Sequence, residues 1–200
     1  MYSDVDGSLK VNLDVAAVGL AAALLGELLM DGTVDIRQGQ VLPGPWERNP
    51  GGFLGKLTTE FERGIVHDVT TVLTFMARTA HDEVAARMLR AGHIERQSRR
   101  RLASRTVRYL QVDVNAAAWP WVRLSQALRR GAQLDNPDVI LGGLILATEL
   151  HRRVLSGLDT VDAGDALRAK VVHAPGPVRE LLETAEVLVG TTASIRVSRG

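Results

Sequence analysis

The densest cluster of charged side chains lies between Arg87 and Arg108, in the stretch RMLRAGHIERQSRRRLASRTVR. It holds eight arginines and one acid, Glu95, so its formal charge is +7 in a chain of net charge +1. Guanidinium groups are permanently charged and match phosphate and carboxylate oxygens. The rest of the chain then carries −6, and such polarised charge indicates a face for an anionic partner. A solvated face, whose arginines pair with acids elsewhere, is the alternative.

Other reactive residue types form no recognisable site. The chain has no cysteine, which excludes disulfides and thiol nucleophiles and fits a reducing compartment. GxxxxGK[ST], GxGxxG, HExxH and GxSxG motifs are all absent. No histidine stands at a usual metal spacing from a second ligand; the five are His67, His81, His93, His151 and His173. We therefore expect a binding protein without a metal or cofactor, and not an enzyme.

The elements that position the arginines are predicted to be helices, in a soluble chain that is 46% hydrophobic. Residues 13–30, LDVAAVGLAAALLGELLM, are apolar almost all round, with Asn12 or Asp14 as the N-cap and Gly32 as the stop. Charged residues at Asp14 and Glu27 leave fewer than the roughly 20 apolar residues of a membrane span. The segment therefore predicts a core helix whose alanines and glycines permit close packing.

The next segment, 33–43, predicts a short hairpin that turns at Gln38–Gly39, followed by a loop over 44–52. Helices are predicted over 53–63, 66–77 and 80–91. The last should be capped by Thr79, with Asp82 completing a capping box, and stopped by Gly92.

The arginine-rich segment itself predicts a second hairpin, with strands near 93–96 and 100–104 and an extended run to Asp113. β-Branched and aromatic residues such as Ile94, Thr106 and Tyr109 favour strands. Because arginines occur at both odd and even positions, the alternation does not fix the register.

The second half of the chain again predicts helices. One should run from an Asn115 cap to Arg130, with a start or a kink at Pro120. The next should begin at an Asn136 cap with Pro137 in the first helical position, and continue to Leu155 as the central helix. Further helices are expected near 161–171 and 177–189. We expect one domain over 1–190 and a loose tail over 191–200.

The order of these segments resembles the Golgi phosphoprotein 3 family, particularly its bacterial members. GSLKVN matches a family GxLxF strand, and LLGELLMDGTVDI matches the end of the helix that follows. ARMLRAGHIERQSRR and RTVRYLQVD match a helix end, hairpin and strand, and NPDVILGGLILATELHRRVL matches a core helix. Together these motifs span most of residues 7–190. The resemblance implies a mainly α, single helical domain with a projecting basic β-hairpin, and a peripheral membrane protein.

The resemblance also implies a site. Eukaryotic members bind the phosphatidylinositol 4-phosphate headgroup and act as adaptors that grip the cytoplasmic tails of glycosyltransferases. The tryptophan and first arginine of the family pocket fall on Asn12 and Ala21 here, whereas its basic pair falls on Arg78 and His81. Two of the four positions are thus lost, and the histidine is mostly neutral at pH 7. We therefore expect a looser phosphoinositide-like headgroup site that also uses the hairpin residues Arg99, Arg100 and Arg101.

Partners follow from these expectations. An anionic lipid headgroup is the main one, for a cytoplasmic protein that attaches peripherally at the inner face of a membrane. A homo-oligomer or protein partner is a second class. The family's usual helix before the GxLxF strand is either cut off by a late start or absent, and its absence would open an apolar groove that favours a partner chain. A winged-helix-like nucleic-acid binder is a third. It is disfavoured because the helix DEVAARMLRAG offers arginines but no asparagine, glutamine or lysine to read bases.

Overall fold

The computed structural model describes residues 12–45, 59, 63–101, 104–155 and 163–197, with the backbone alone at 98–101, 104–107, 153 and 193–197. This part of the chain is mainly helical, as predicted, with two small antiparallel sheets. The elements in order are α1 Leu13–Met30, β1 Val34–Arg37, β2 Gln40–Pro43, β3 His67–Asp68, α2 Val69–Ala77, α3 Ala80–Arg90, β4 Ile94–Arg101, β5 Ser104–Gln111, α4 Val114–Arg129, α5 Asn136–Ala147, α6 His151–Val154, α7 Ala163–Val171 and α8 Gly176–Val197. The helix predicted over 53–63 and most of the loop over 44–52 fall outside the described residues.

Helix α1 lies at the centre of the core, as its apolar sequence predicts. The Asn12 side chain accepts a hydrogen bond from the Asp14 N–H at 2.9 Å, and the chain leaves the helix through Gly32 at φ 73°. The helix packs against α2, α3, α5 and α8. A Cβ added at Gly26 would lie 3.1 Å from Cγ2 of Ile140 on α5, so the two helices approach closely at this glycine.

Length and composition alone would allow α1 to cross a membrane, since its mean hydropathy is 1.9 over 18 residues. No other helix in the described part of the chain meets both criteria. Half of α1 is buried inside the fold, which agrees with its prediction as a core helix.

The first sheet confirms the predicted hairpin at 33–43. Strands β1 and β2 pair in register from Val34↔Pro43 to Arg37↔Gln40, and the turn residues Gln38 and Gly39 have φ of 54° and 75°. Two successive positive φ values indicate a type I′ turn, which matches the twist of the strands. The Gly39 N–H donates to Oε2 of Glu180 on α8 at 2.7 Å, so the turn is tied to the C-terminal helix.

The helix predicted from 66 begins later, at Val69. His67 and Asp68 instead form β3, which pairs with Gln40 and Val41 of β2. Asp68 has an extended backbone, and its carboxylate accepts hydrogen bonds from the N–H and hydroxyl of Thr71. These bonds favour the ionised carboxylate and hold the pKa of Asp68 below its ordinary value.

The arginine-rich hairpin is longer than predicted. Strands β4 and β5 pair continuously from Ile94↔Gln111 to Arg101↔Ser104, so residues 97–99, predicted as the turn, are within a strand. Outside the hairpin, the main contacts of β4 are with α3. The sequence of this hairpin has no clean hydrophobic alternation to fix its register, which explains the error.

The starts of α4 and α5 also differ from the prediction. The cap of α4 is Asp113, whose Oδ1 accepts from the N–H groups of Asn115 and Ala116 at 2.8 and 3.1 Å, and the helix continues through Pro120. The cap of α5 is Asp135, one residue before the predicted Asn136. In both cases an aspartate with extended backbone precedes the asparagine, and the first such residue is the cap.

The central helix α5 is shorter than the predicted run to Leu155. The Thr148 hydroxyl donates to the Leu144 carbonyl at 2.6 Å, and Glu149 adopts a left-handed φ of 55°. Such a residue ends a helix, so His151–Val154 forms the separate short helix α6. The C-terminal helix is instead longer than predicted, because α8 continues to Val197, beyond the predicted end at 189.

Candidate anion-binding face

Arg78 lies at the corner between α2 and α3, where the sequence places it. It is the C-cap residue of α2, and its guanidinium carbon lies 5.6 Å from the ring centroid of Phe75. This distance is within the range of a cation–π contact, and Phe75 is exposed. Arg78 is therefore held against an exposed aromatic ring at the surface.

The predicted capping box at the start of α3 does not form. Thr79 has ψ −11°, and its hydroxyl hydrogen bonds to Oε1 of Glu83 at 3.2 Å, so its side chain does not cap the helix. An effective cap needs an extended backbone, whereas here the chain turns directly from α2 into α3. Asp82 and Glu83 nevertheless place negative charge at the positive end of α3.

His81 joins this corner to the base of the arginine-rich hairpin. Its Nδ1 lies 3.2 Å from Oδ1 of Asp82, and its ring makes an edge contact with Tyr109 of β5, with centroids 5.9 Å apart. Tyr109 pairs with Arg96 across the hairpin, and directly opposed residues share one face of a sheet. Arg96 and His81 are thus both neighbours of Tyr109, Arg96 across the hairpin and His81 through its ring.

The three other predicted site residues lie farther along the hairpin. Arg99, Arg100 and Arg101 pair with Thr106, Arg105 and Ser104, between three and five residues beyond Arg96 towards the turn. At about 3.3 Å per residue they stand roughly 10–17 Å along the strand from the level of Tyr109. The structure therefore brings Arg78 and His81 to one corner and places Arg99–Arg101 along the outer part of the hairpin.

One arginine of the basic stretch is paired within the fold. The guanidinium of Arg87 on α3 lies 2.5 Å from Oε2 of Glu27 on α1. For Arg87 the alternative interpretation thus holds, in which an arginine of the basic stretch pairs with an acid elsewhere in the chain. Arg87 and Glu27 are separated by 60 positions in sequence. The sequence carries no signal for this pair, because residues so far apart meet only through the packing of α1 on α3.

A cavity of about 490 Å³ lies directly beneath the hairpin, and nothing in the sequence predicts it. Its walls come from α1, α3, the hairpin base and the first turns of α4. The apolar lining consists of Leu20, Val84, Ala85, Met88, Ile94, Ala116, Ala117 and Pro120. The polar and aromatic lining consists of His81, His93, Tyr109, Gln111 and Asp113. Apart from Leu20, this lining comes from residues 81–120, and it depends on how the consecutive elements of that stretch fold back on one another.

A second cavity, of about 390 Å³, lies where α1 begins and α5 ends. Its charged lining residues are Glu149, Arg152, Arg168 and Glu186. The two signs are balanced, so this cavity has no clear preference for an anion. Among the described residues, no group of three or more histidine, aspartate or glutamate side chains could hold a metal ion.

Comparison with known proteins identifies the family of the chain. No curated protein matches the sequence significantly. A family model described as Golgi phosphoprotein 3 (GPP34) matches residues 1–185, which is nearly the whole chain. The chain therefore belongs to the Golgi phosphoprotein 3 family.

Proposed function

We propose that the protein is a peripheral membrane protein that binds anionic lipid headgroups and acts by binding, without catalysis. The observation that carries this proposal is the hairpin β4–β5. It holds six arginines and one acid, Glu95, and outside the hairpin its main contacts are those of β4 with α3. A basic hairpin of this kind can contact a flat anionic surface while the helical core stays in water.

The charge is sufficient for reversible attachment. Each arginine near an anionic leaflet contributes about 1 kcal/mol. If four of the six hairpin arginines face the surface, binding improves by roughly 4 kcal/mol, or about three decades. The Arg78–His81 corner, next to the hairpin base, is the proposed place for a phosphate group.

Membership of the family supports an adaptor role as the finer form of this proposal. An adaptor would hold a protein partner near the inner face of the membrane while the hairpin contacts the lipid. Duplex binding has less support, because Arg87, on the helix that would have to read bases, is paired with Glu27.

Co-sedimentation with vesicles tests the hairpin. The triple variant Arg99→Gln, Arg100→Gln, Arg101→Gln should weaken binding to phosphatidylglycerol-containing vesicles about 100-fold, from a loss of about 1 kcal/mol per arginine. The matched control neutralises three exposed arginines at the end of α4, on α7 and on α8: Arg130→Gln, Arg168→Gln and Arg179→Gln. The proposal fails if both triple variants lose the same affinity, or if wild-type binding ignores salt and anionic lipid content.

The same assay tests the corner separately. If Arg78 contacts a phosphate, Arg78→Ala should weaken vesicle binding more than Arg108→Ala. If only diffuse charge matters, both should weaken it by a similar factor, about fivefold to tenfold. In that case Arg78 would not belong to a defined site.

A further inference from the structure

The cavity beneath the hairpin has the size and lining of a ligand site. Its volume of about 490 Å³ falls within the roughly 300–1,000 Å³ typical of sites for small molecules. Leu20, Val84, Met88, Ile94 and Pro120 supply apolar walls from four separate parts of the fold. Such walls favour an apolar occupant.

The wall formed by α4 is exposed in its first turns. The first turns of this helix expose Ala116, Ala117 and Pro120, whereas its second half buries Leu124 in the core. On the facing helix Met88 is 37% exposed, although methionine usually fills apolar gaps. Burial of this surface against a hydrocarbon chain would be favourable by the ordinary hydrophobic effect.

One edge of the cavity is polar, and an arginine lies on the strand beside it. His81 and Gln111 line it, and Arg96 stands directly opposite Tyr109 on the same hairpin face. The acid among the lining residues, Asp113, is engaged as the cap of α4 by two backbone N–H groups. An occupant with an apolar chain and an anionic end therefore complements both parts of the site.

We propose that this cavity takes one acyl chain of an anionic lipid, with the headgroup held at the His81–Arg96 edge. The inference rests on the proposed function, which supplies the membrane as the source of the lipid. The cavity itself can be tested without a membrane. The hairpin would then have two roles: its outer arginines contact neighbouring headgroups, and its base forms one wall of the chain site.

The test uses soluble alkyl phosphates, below the concentration at which they form micelles, and isothermal titration calorimetry on the full chain. Each buried methylene should tighten binding about fourfold. Octyl phosphate should therefore bind on the order of 100-fold more tightly than butyl phosphate, and inorganic phosphate should bind most weakly. Equal affinities for octyl and butyl phosphate would overturn the proposal.

A cavity-filling variant supplies the structural control. Ala117 is exposed and lines the cavity, so Ala117→Leu should fold normally and reduce octyl phosphate affinity at least tenfold. Ala169→Leu makes the same change at an exposed alanine of α7 and should have no effect. Equal octyl phosphate affinity in Ala117→Leu and Ala169→Leu would contradict the chain site.

Two further measurements distinguish a chain site from a protein contact and from diffuse charge. Light scattering should show the same mass for Ala117→Leu and wild type; a change in mass would mean that the cavity is a protein contact and would overturn the proposal. The hairpin triple variant should still prefer octyl over butyl phosphate. If this variant loses vesicle binding but still binds octyl phosphate more tightly than butyl phosphate, the chain site is supported. If it binds the two alkyl phosphates equally, the chain site is refuted, whatever the vesicle result.

Discussion

At the scale of single residues, Asp138 is the clearest case of a buried charge that is held by a partner. Its side chain is almost fully buried at the start of α5, and Arg123 of α4 donates to its Oδ1 from Nε at 2.9 Å and from a terminal nitrogen at 2.5 Å. The hydrogen bond raises the pKa of Arg123 above its usual value. Because a buried carboxylate needs a partner, this pair fixes α4 against α5.

Loss of Arg123 should therefore be costly. Arg123→Leu should lower the free energy of unfolding by about 3 kcal/mol, because it leaves the Asp138 carboxylate buried without its cation. Urea denaturation measures this change. The double variant Arg123→Leu, Asp138→Leu should recover much of the loss, whereas an equal or larger loss in the double variant would show that the charge of Asp138 is not the cause.

Residues whose local chemistry decides their role are the most predictable from sequence. Gly32 and Gly92 both leave their helices with positive φ, and Gln38–Gly39 forms the predicted turn. The caps of α4 and α5 are less predictable, because several residues capable of capping stand side by side in DVN and DNP. The choice there depends on which residue the incoming chain holds in an extended conformation, and that is set by tertiary packing.

At the scale of elements, α2 shows how one cap can join two structures. Asp68 is both the last residue of β3 and the N-cap of α2, and its carboxylate binds the N–H and hydroxyl of Thr71. The Val69 N–H donates to the Gly39 carbonyl at 2.9 Å, so the start of the helix is held against the first hairpin.

Asp68→Ala should destabilise the protein by about 1 kcal/mol at pH 7. The pKa of Asp68 is lowered in the folded state, so its contribution is present above the unfolded value near 3.8 and is lost as pH falls through the folded value. The cost of Asp68→Ala in urea denaturation should therefore shrink as the pH falls below the unfolded value near 3.8. Asp68→Asn, which keeps a good cap, should cost less at pH 7, and a cost for Asp68→Ala that does not vary with pH would contradict this role.

The central helix α5 gives a second prediction at this scale. Leu144 is buried in the main core, whereas Leu146 is only half-buried at the edge of the second cavity. Leu144→Ala should cost roughly 2–5 kcal/mol, and Leu146→Ala clearly less, because less apolar surface returns to water. Thermal or urea unfolding of both variants is the measurement, and equal losses would place Leu146 deeper than the structure does.

Elements are predictable where their burial pattern is unambiguous. The apolar runs of α1 and α5 are core helices as predicted, since a helix that is apolar all round has no other stable place in a compact fold. The β4–β5 hairpin is predictable in kind but not in length, because strands that project into solvent carry no alternation to read.

At the scale of the whole molecule, the charge asymmetry in the sequence corresponds to a physical separation. Six arginines belong to the hairpin strands, while acids such as Glu27 and Asp138 pair with arginines in the helical part. The sequence predicts both the basic face and the helical body. The cavity between them was not predicted, because it forms only when α3, the hairpin base and the start of α4 pack around Leu20 of the distant helix α1.

The packing of the first helix against the last has a consequence for how the chain is made. Leu181 of α8 approaches within 3.6 Å of the position of a Cβ at Gly26, and about 150 residues of synthesis separate these two positions. At about 5–20 residues per second, a ribosome needs roughly 8–30 s to cover that distance. For this time α1, apolar enough to enter a bilayer, has no C-terminal helix to cover it. The nascent chain is therefore exposed to chaperones and membrane-targeting factors long before the mature fold conceals the segment that would attract them.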